Sequence, residues 1–325
     1  MNKNNNLDDK KLKARKLRGQ INSEDLKEFK GLKFNDLINV LSDKDPQKRT
    51  IAGTLLNEGI VESDNDKKYI IATLSKSLKG EKALYSRIAI MQSLASYGEL
   101  AVPYLIELLG VIGNNQEKEL PKKYFNKKSF PLPRDLAART LSYMGNVAIP
   151  YLIEVLNDNI SNSNNASNSN NNSNFNSNNA SNFNNDISTH FKKEQALDAI
   201  GAIVYKYDDH RAYDSINNLF IKTVSSGNIY EESNKILIWK IVRSLSGFYY
   251  NEYALNLVID ILKRFDNVNE IQWEAIRSIG QIGIVNDEVK LIFEDFDNSV
   301  CNGSSNVNSQ IKLALKVSKN SLCLF

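Results

Sequence analysis

Histidine, cysteine, proline and glycine are scarce in this chain of 325 residues, and each scarcity removes a class of fold or function. Two His and two Cys mean that a four-ligand zinc site would need His190, His210, Cys301 and Cys323 to converge, and no pair among them has ligand spacing. Two widely separated thiols also make no disulfide framework. Six Pro and 15 Gly are few for a turn-rich all-β protein, so helix is the expected element. No Gly-rich phosphate loop of either common pattern occurs. Long apolar runs are missing as well: Ile236 to Val242 is interrupted by Lys240 and closed by Arg243, far short of the roughly 20 residues that cross a bilayer. Met1 to Arg18 is polar and basic, without the apolar stretch of about 7 to 15 residues of a secretory signal. The expectation is a soluble cytoplasmic protein with no membrane partner, no metal and no cofactor. With 41 Lys+Arg against 38 Asp+Glu the net charge is only +3, which excludes a uniformly basic nucleic-acid binder and leaves room for a local patch.

What the sequence does contain is a repeat. Tyr97-Gly98-Glu99-Leu100-Ala101-Val102-Pro103-Tyr104-Leu105-Ile106-Glu107 coincides with Met144-Gly145-Asn146-Val147-Ala148-Ile149-Pro150-Tyr151-Leu152-Ile153-Glu154 at an offset of 47 residues, and the offset extends upstream to Leu94 and Leu141. Taking these two as anchors, Leu55, Ile200, Leu245 and Ile279 also carry apolar residues four and three places earlier, the spacing of one helical face. Gly59, Gly98, Gly145 and Gly283 stand four places after four of the anchors, where a left-handed residue suits a helix C-terminus. A second apolar-periodic stretch follows each anchor helix: 69–78, 103–109, 150–156, 212–224, 253–265 and 289–293. Pro103 and Pro150 sit where such a helix starts, at a position that tolerates the missing N–H. The spacing predicts an all-α chain of about six helical hairpins, with an unpaired leading helix over 34–41 and a closing one over 311–322.

The run Arg134-Asp135-Leu136-Ala137-Ala138-Arg139-Thr140-Leu141, followed by Gly145 and Ala148-Ile149-Pro150-Tyr151-Leu152-Ile153-Glu154, resembles a HEAT repeat of the short, phycobilin-lyase-like type. Residues 87–109 match nearly as well, and Trp273 to Gly283 more weakly. The resemblance covers about residues 34–320 and implies an α-solenoid with a concave ligand surface. HEAT-fold di-iron hydroxylases hold metal with His-Glu pairs, and neither His190 nor His210 stands in one. HEAT-like DNA glycosylases use Trp, Asp and Arg on a basic concave face, which makes Trp239 and Trp273 candidates to weigh. Both lie within apolar-periodic helices, where core packing is the simpler expectation.

Four segments follow from this division. A basic N-terminal arm spans 1–33, with ten Lys/Arg against five Asp/Glu. Repeats over 34–158 carry an insertion at 111–132. An Asn/Ser-rich tract over 159–188 has almost no apolar side chains to offset ordering entropy and is expected to be disordered. A second set of repeats fills 189–325. The stretch 121–134 sets Lys122, Lys123, Lys127, Lys128 and Arg134 among Tyr124, Phe125 and Phe130 with no acid. Cations interleaved with rings suit a phosphate backbone or an acidic partner, so the candidate binding residues are Lys122, Lys123, Tyr124, Phe125, Lys127, Lys128 and Arg134. No catalytic constellation is visible. The functional expectation is a non-enzymatic scaffold or adaptor that binds a protein partner on its concave face. The alternatives are a nucleic-acid-binding solenoid using the 122–134 loop, and a phycobilin-lyase-like enzyme or auxiliary subunit.

Overall fold

A computed structural model describes residues 10–111, 117–123, 132–158, 178–301 and 309–323, with the backbone course alone for 178–188 and 299–301. Among these residues every regular element is a helix and no strand occurs. The chain divides into two compact units, Met1–Asn114 with Asp135–Ala148, and Asn115–Arg134 with Ile149–Phe325. The division falls inside the better-matched repeat rather than at the Asn/Ser-rich tract, and it assigns the basic insertion to the second unit.

The first unit contains α1 (Phe34–Val40), α2 (Pro46–Leu55), α3 (Asp64–Gly80), α4 (Leu84–Ser96), α5 (Val102–Glu107) and α6 (Leu136–Met144). Local chemistry fixes several starts. Asp45 accepts a hydrogen bond from Gln47 N at 2.8 Å ahead of Pro46, and Asp135 accepts from Ala138 N at 2.9 Å, each satisfying a backbone donor that the helix itself leaves open. The anchor helices stack in order, α2 against α4 and α4 against α6, while α3 packs on α5. Within the N-terminal arm, Gly19 is buried, Arg18 O accepts from Tyr85 N at 3.0 Å and Gln20 O accepts from Gln47 Nε2 at 2.8 Å. The arm's residues 18–20 therefore dock on this unit, inside the boundary that charge alone set at residue 33.

The second unit contains α7 (Ile149–Leu156), α8 (Asn178–Val204), α9 (His210–Ser225), α10 (Glu232–Leu245), α11 (Glu252–Arg264), α12 (Asn269–Ile282), α13 (Asp287–Cys301) and α14 (Ser309–Leu322). Here α8, α10, α12 and α14 pack in succession, α7 lies against both α8 and α9, α11 against α12, and α13 against α14. Helix α8 begins at Asn178, within the tract that composition assigns to disorder, because a helix nucleated by a packed end elongates at one hydrogen bond per added residue. The rest of that tract, 159–177, lies outside the described residues.

Leu94, Leu141, Ile200, Leu245 and Ile279 are fully buried, as are the residues three and four places before them. Leu55 is the exception: it is half-buried, and Leu56 takes the interior position. Beside the anchors stand small residues that let one anchor helix approach the next. Ser93 Oγ donates to Leu56 O at 2.5 Å, Ser278 Oγ to Val242 O at 3.0 Å and Ser318 Oγ to Ile276 O at 3.0 Å. On the other flank, a Cβ at Gly280 would lie 2.6 Å from the Cβ of Ser318 and 2.9 Å from its Cα. At α12's end Gly283 has φ 84° and donates to Ile279 O at 3.2 Å.

Alanine is the better helix former than glycine by about 1 kcal/mol, yet Gly280→Ala has no room against the backbone of α14. The expected outcome is a net loss of about 1 to 3 kcal/mol in urea unfolding, with helicity by circular dichroism unchanged.

Candidate functional site

The second unit buries charge at positions that helical periodicity assigns to a core. On α8, His190, Glu194 and Asp198 recur every four residues and share one face. Facing them on α10 are Lys240 and Arg243. Lys240 is 1% exposed; its Nζ donates to Asp198 Oδ2 at 2.5 Å and lies 3.0 Å from Glu117 Oε2. Arg243 Nε stands 3.9 Å from Asp198 Oδ1. Both cations also lie over the Trp239 ring, at 5.4 and 5.0 Å from its centroid, an arrangement that adds cation–π attraction to the ion pairs. A buried ammonium without such partners would cost several kcal/mol. On α12, Arg277 and Glu274 form a second buried pair at 2.6 Å.

Glu194 differs from the other carboxylates of the group. It is 2% exposed, its Oε2 has no hydrogen-bond partner, and, unlike Glu117, whose Oε2 also lacks one but lies 3.0 Å from Lys240 Nζ, it forms no ion pair among the described residues. Burial pushes its carboxyl up to about 8; Lys240 opposes that shift, and the carboxylates of Glu117 and Asp198 add to it. The side chain lines a cavity of about 790 Å³ together with His190, Phe191, Glu117, Asn234 and Ile236. At neutral pH the site thus presents a protonated acid beside this hollow.

The basic insertion is only partly described. Tyr124, Phe125, Lys127 and Lys128 lie outside the described residues. Lys122 and Lys123 are exposed, and Lys122 pairs with Glu119 at 3.5 Å. Arg134 reaches Glu117 at 3.8 Å. Two of the three described cations therefore face acids from just upstream of the loop, Glu117 and Glu119. Leu120 N donates to Glu232 Oε1 at 3.2 Å, fastening the segment to α10. Trp239 and Trp273 are 2% and 1% exposed and meet edge to face at 6.5 Å, so both rings are core. His210 starts α9, exposed, 4.0 Å from Asp208. Among the described residues no three His, Cys, Asp or Glu side chains come together to hold a metal ion, and no helix is long and apolar enough to cross a membrane.

A third feature lies at the turns of the same unit. Tyr249, Tyr250 and Tyr253 are each about two-thirds exposed, and Tyr205 and Tyr207 nearly half. The rings of Tyr249 and Tyr250 meet at 4.5 Å, and Tyr213 bridges Tyr253 at 5.9 Å and Phe248 at 6.2 Å. The Tyr249 hydroxyl is pushed above its ordinary range by local desolvation and then by the phenols of Tyr250 and Tyr205. Tyr250 holds a left-handed backbone, φ 54°, with its N–H donating to Ile282 O at 2.8 Å.

Neither a protein-family model nor a curated protein matches the chain. What these surfaces and buried charges can bind is accordingly the guide to function. Sequence reading passed over Glu117, Glu194, Asp198, Lys240 and Arg243, although a signal existed: Lys240 interrupts an apolar run at a core-facing position, and His190, Glu194 and Asp198 hold helical spacing.

Two measurements check the buried group. Lys240→Met leaves Asp198 without its closest cation, and the expected loss is about 3 to 5 kcal/mol in denaturant unfolding. For Glu194 the unfolded chain has an ordinary carboxyl near 4.5 and the folded one is raised to about 8. Between those values the native state holds one more proton than the unfolded state, so stability falls as pH rises from about 5 to 8. Glu194→Gln is expected to remove that slope in thermal melts taken across the window.

Proposed function

We propose that the chain is an α-solenoid of HEAT-like hairpins serving as a non-enzymatic scaffold for a protein partner. The sequence self-similarity at 47 residues supports the repeat reading. So does the packing order inside each unit, where anchor helices follow one another and the second helices lie alongside them.

The observation that carries the binding reading is Tyr250. A bulky residue at positive φ is strained by about 1 to 3 kcal/mol, and here the strained residue is an aromatic ring 64% exposed to solvent. Its carbonyl partner in the next repeat holds the backbone in that conformation, and Tyr249 rests beside Gly283, 3.1 Å from where a Cβ would stand. Tyrosines supply large contact area at low entropic cost and are enriched where proteins meet. The chemistry available is recognition by stacked phenols. The contact surface of the scaffold is accordingly the turn edge at Tyr205, Tyr249, Tyr250 and Tyr253, in place of the concave helices that the repeat resemblance suggests. The described part of the basic loop favours nucleic acid less, since Lys122 and Arg134 already face acids.

The test is affinity capture from native lysate with wild type and with the Tyr249→Ala/Tyr250→Gly variant. Wild type is expected to enrich a defined partner in a salt-tolerant manner, and the variant to retain it at least tenfold less well, the loss typical of an aromatic anchor. Because glycine relieves the left-handed strain, stability of the variant is expected to be unchanged or higher by up to about 1 kcal/mol. Equal retention by both proteins rejects the tyrosine edge.

A further inference from the structure

We propose that the cavity beside Glu194 is a binding site for an organic cation, an ammonium or guanidinium head on a short aliphatic stem. The site is separate from the tyrosine edge, and it stands or falls independently of the scaffold reading.

Three observations lead there. The first is the accounting of charge. Asp198 has Lys240 at 2.5 Å and Arg243 at 3.9 Å. Glu117 has Lys240 at 3.0 Å and Arg134 at 3.8 Å. Glu231 accepts from the Asn228 amide at 2.8 Å. Glu194, the most deeply buried of the cavity's acids, has an oxygen with no donor. An acceptor removed from water without a donor is disfavoured, and a donor arriving through the cavity recovers that loss.

The second is the space. At about 790 Å³ the cavity falls in the range of roughly 300 to 1,000 Å³ that small-ligand sites occupy. Its lining is mixed in the way an alkylated cation needs. Phe191 and Ile236 offer apolar surface for a stem, while Ser226, Ser233, Asn228 and Asn234 offer oxygens to the remaining N–H groups of the head.

The third is the sign of the field. The charged or titratable groups facing Glu194 are His190 and Asp198 from its own helix, Lys240 and Arg243 from α10, Glu117 and Lys118 from the 117–123 segment, and Glu231 at the start of α10. The two interior cations are committed to Asp198 and Glu117, and Lys118 is exposed. An anion entering here would meet three carboxyl groups at the lining. A cation would meet a carboxyl that its own charge converts to carboxylate.

Binding is thereby linked to pH. Only the ionised Glu194 binds the cation well, so apparent affinity falls by roughly tenfold per pH unit below the raised value near 8, and binding near neutral pH releases a proton. The experiment is isothermal titration calorimetry of the full chain with butylammonium and butylguanidinium chlorides as probes. Titrations at pH 6 and 8.5, and at pH 7 in two buffers of different ionisation enthalpy, give affinity and proton count. The expected result is binding at pH 8.5, more than tenfold weaker binding at pH 6, and release of close to one proton at pH 7. Glu194→Gln, which is isosteric with the protonated acid, is expected to bind the probes at least tenfold more weakly at pH 8.5 while keeping its melting temperature at pH 6. A second pair of probes, acetyl-Gly-Lys-Gly-amide and acetyl-Gly-Arg-Gly-amide, separates the sources. Tighter binding of the peptides assigns the site to a basic side chain of a protein, and tighter binding of the free alkyl cations assigns it to a small amine. No heat from any of the four probes at millimolar concentration and pH 8.5, or equal affinity of wild type and Glu194→Gln, overturns the proposal.

Discussion

The close approach of successive anchor helices is the constraint on which the rest of the second unit depends. Gly280 against Ser318, and Gly247 against the Gly201 carbonyl, leave no volume for a Cβ. Serines at neighbouring positions convert the approach into hydrogen bonds to main-chain carbonyls of the preceding helix. Helices held this near have little freedom to rotate, so the residues flanking each contact are forced to meet whatever their chemistry. Glu194 and Asp198 on α8 are in this way set opposite Lys240 and Arg243 on α10.

Interior ion pairs of this kind contribute little net stability, since desolvation consumes most of the Coulombic gain. Their effect is on what else the helices can do. A sliding of α10 along α8 by one turn, about 5.4 Å, would carry Lys240 and Arg243 away from Asp198 and leave that buried carboxylate without its cations. Packing of Leu and Ile alone would resist that motion far less, because apolar side chains exchange neighbours at small cost when volume is kept. The charged layer thus fixes register in a stack whose apolar faces are similar from helix to helix.

The helices were legible because the face that builds the core repeats its spacing. Ile90, Met91 and Leu94, or Ala275, Ile276 and Ile279, announce the same stripe in different residues, and the second helices follow from stretches such as 253–265. Capping residues such as Asp135 and Asn251 lie at the starts where side-chain oxygen is needed. Less was legible where chemistry depends on tertiary meeting. Lys240 read as an interruption of an apolar run, and its partners are 42 residues away at Asp198 and 240 − 117 = 123 residues away at Glu117. No local pattern links such positions. The tyrosine edge was hidden for a different reason: Tyr205 follows α8 while Tyr249 and Tyr253 flank the turn between α10 and α11, more than 40 residues on, and the left-handed backbone at Tyr250 carries no residue signature. The basic loop shows the converse. Its cations were obvious from composition, yet Glu117 and Glu119, which answer two of them, stand just outside the window that made the stretch look free of acid.

The assignment of residues 115–134 to the second unit has a consequence for synthesis on the ribosome. This segment is made between the two pieces of the first unit, 1–114 and 135–148, so the first unit can close while the segment still waits for its own partners. Lys240 emerges 123 residues after Glu117, an interval of about 6 to 25 s at the usual rate of roughly 5 to 20 residues per second. Throughout that interval Glu117 and the amide of Leu120 are without the Lys240 and Glu232 side chains to which they are to be tied, and water stands in for them. The acidic character of the segment's upstream end suits this order of events. A carboxylate waits in water at no penalty, whereas an apolar plug of the same size would spend those seconds exposed to every other nascent chain nearby.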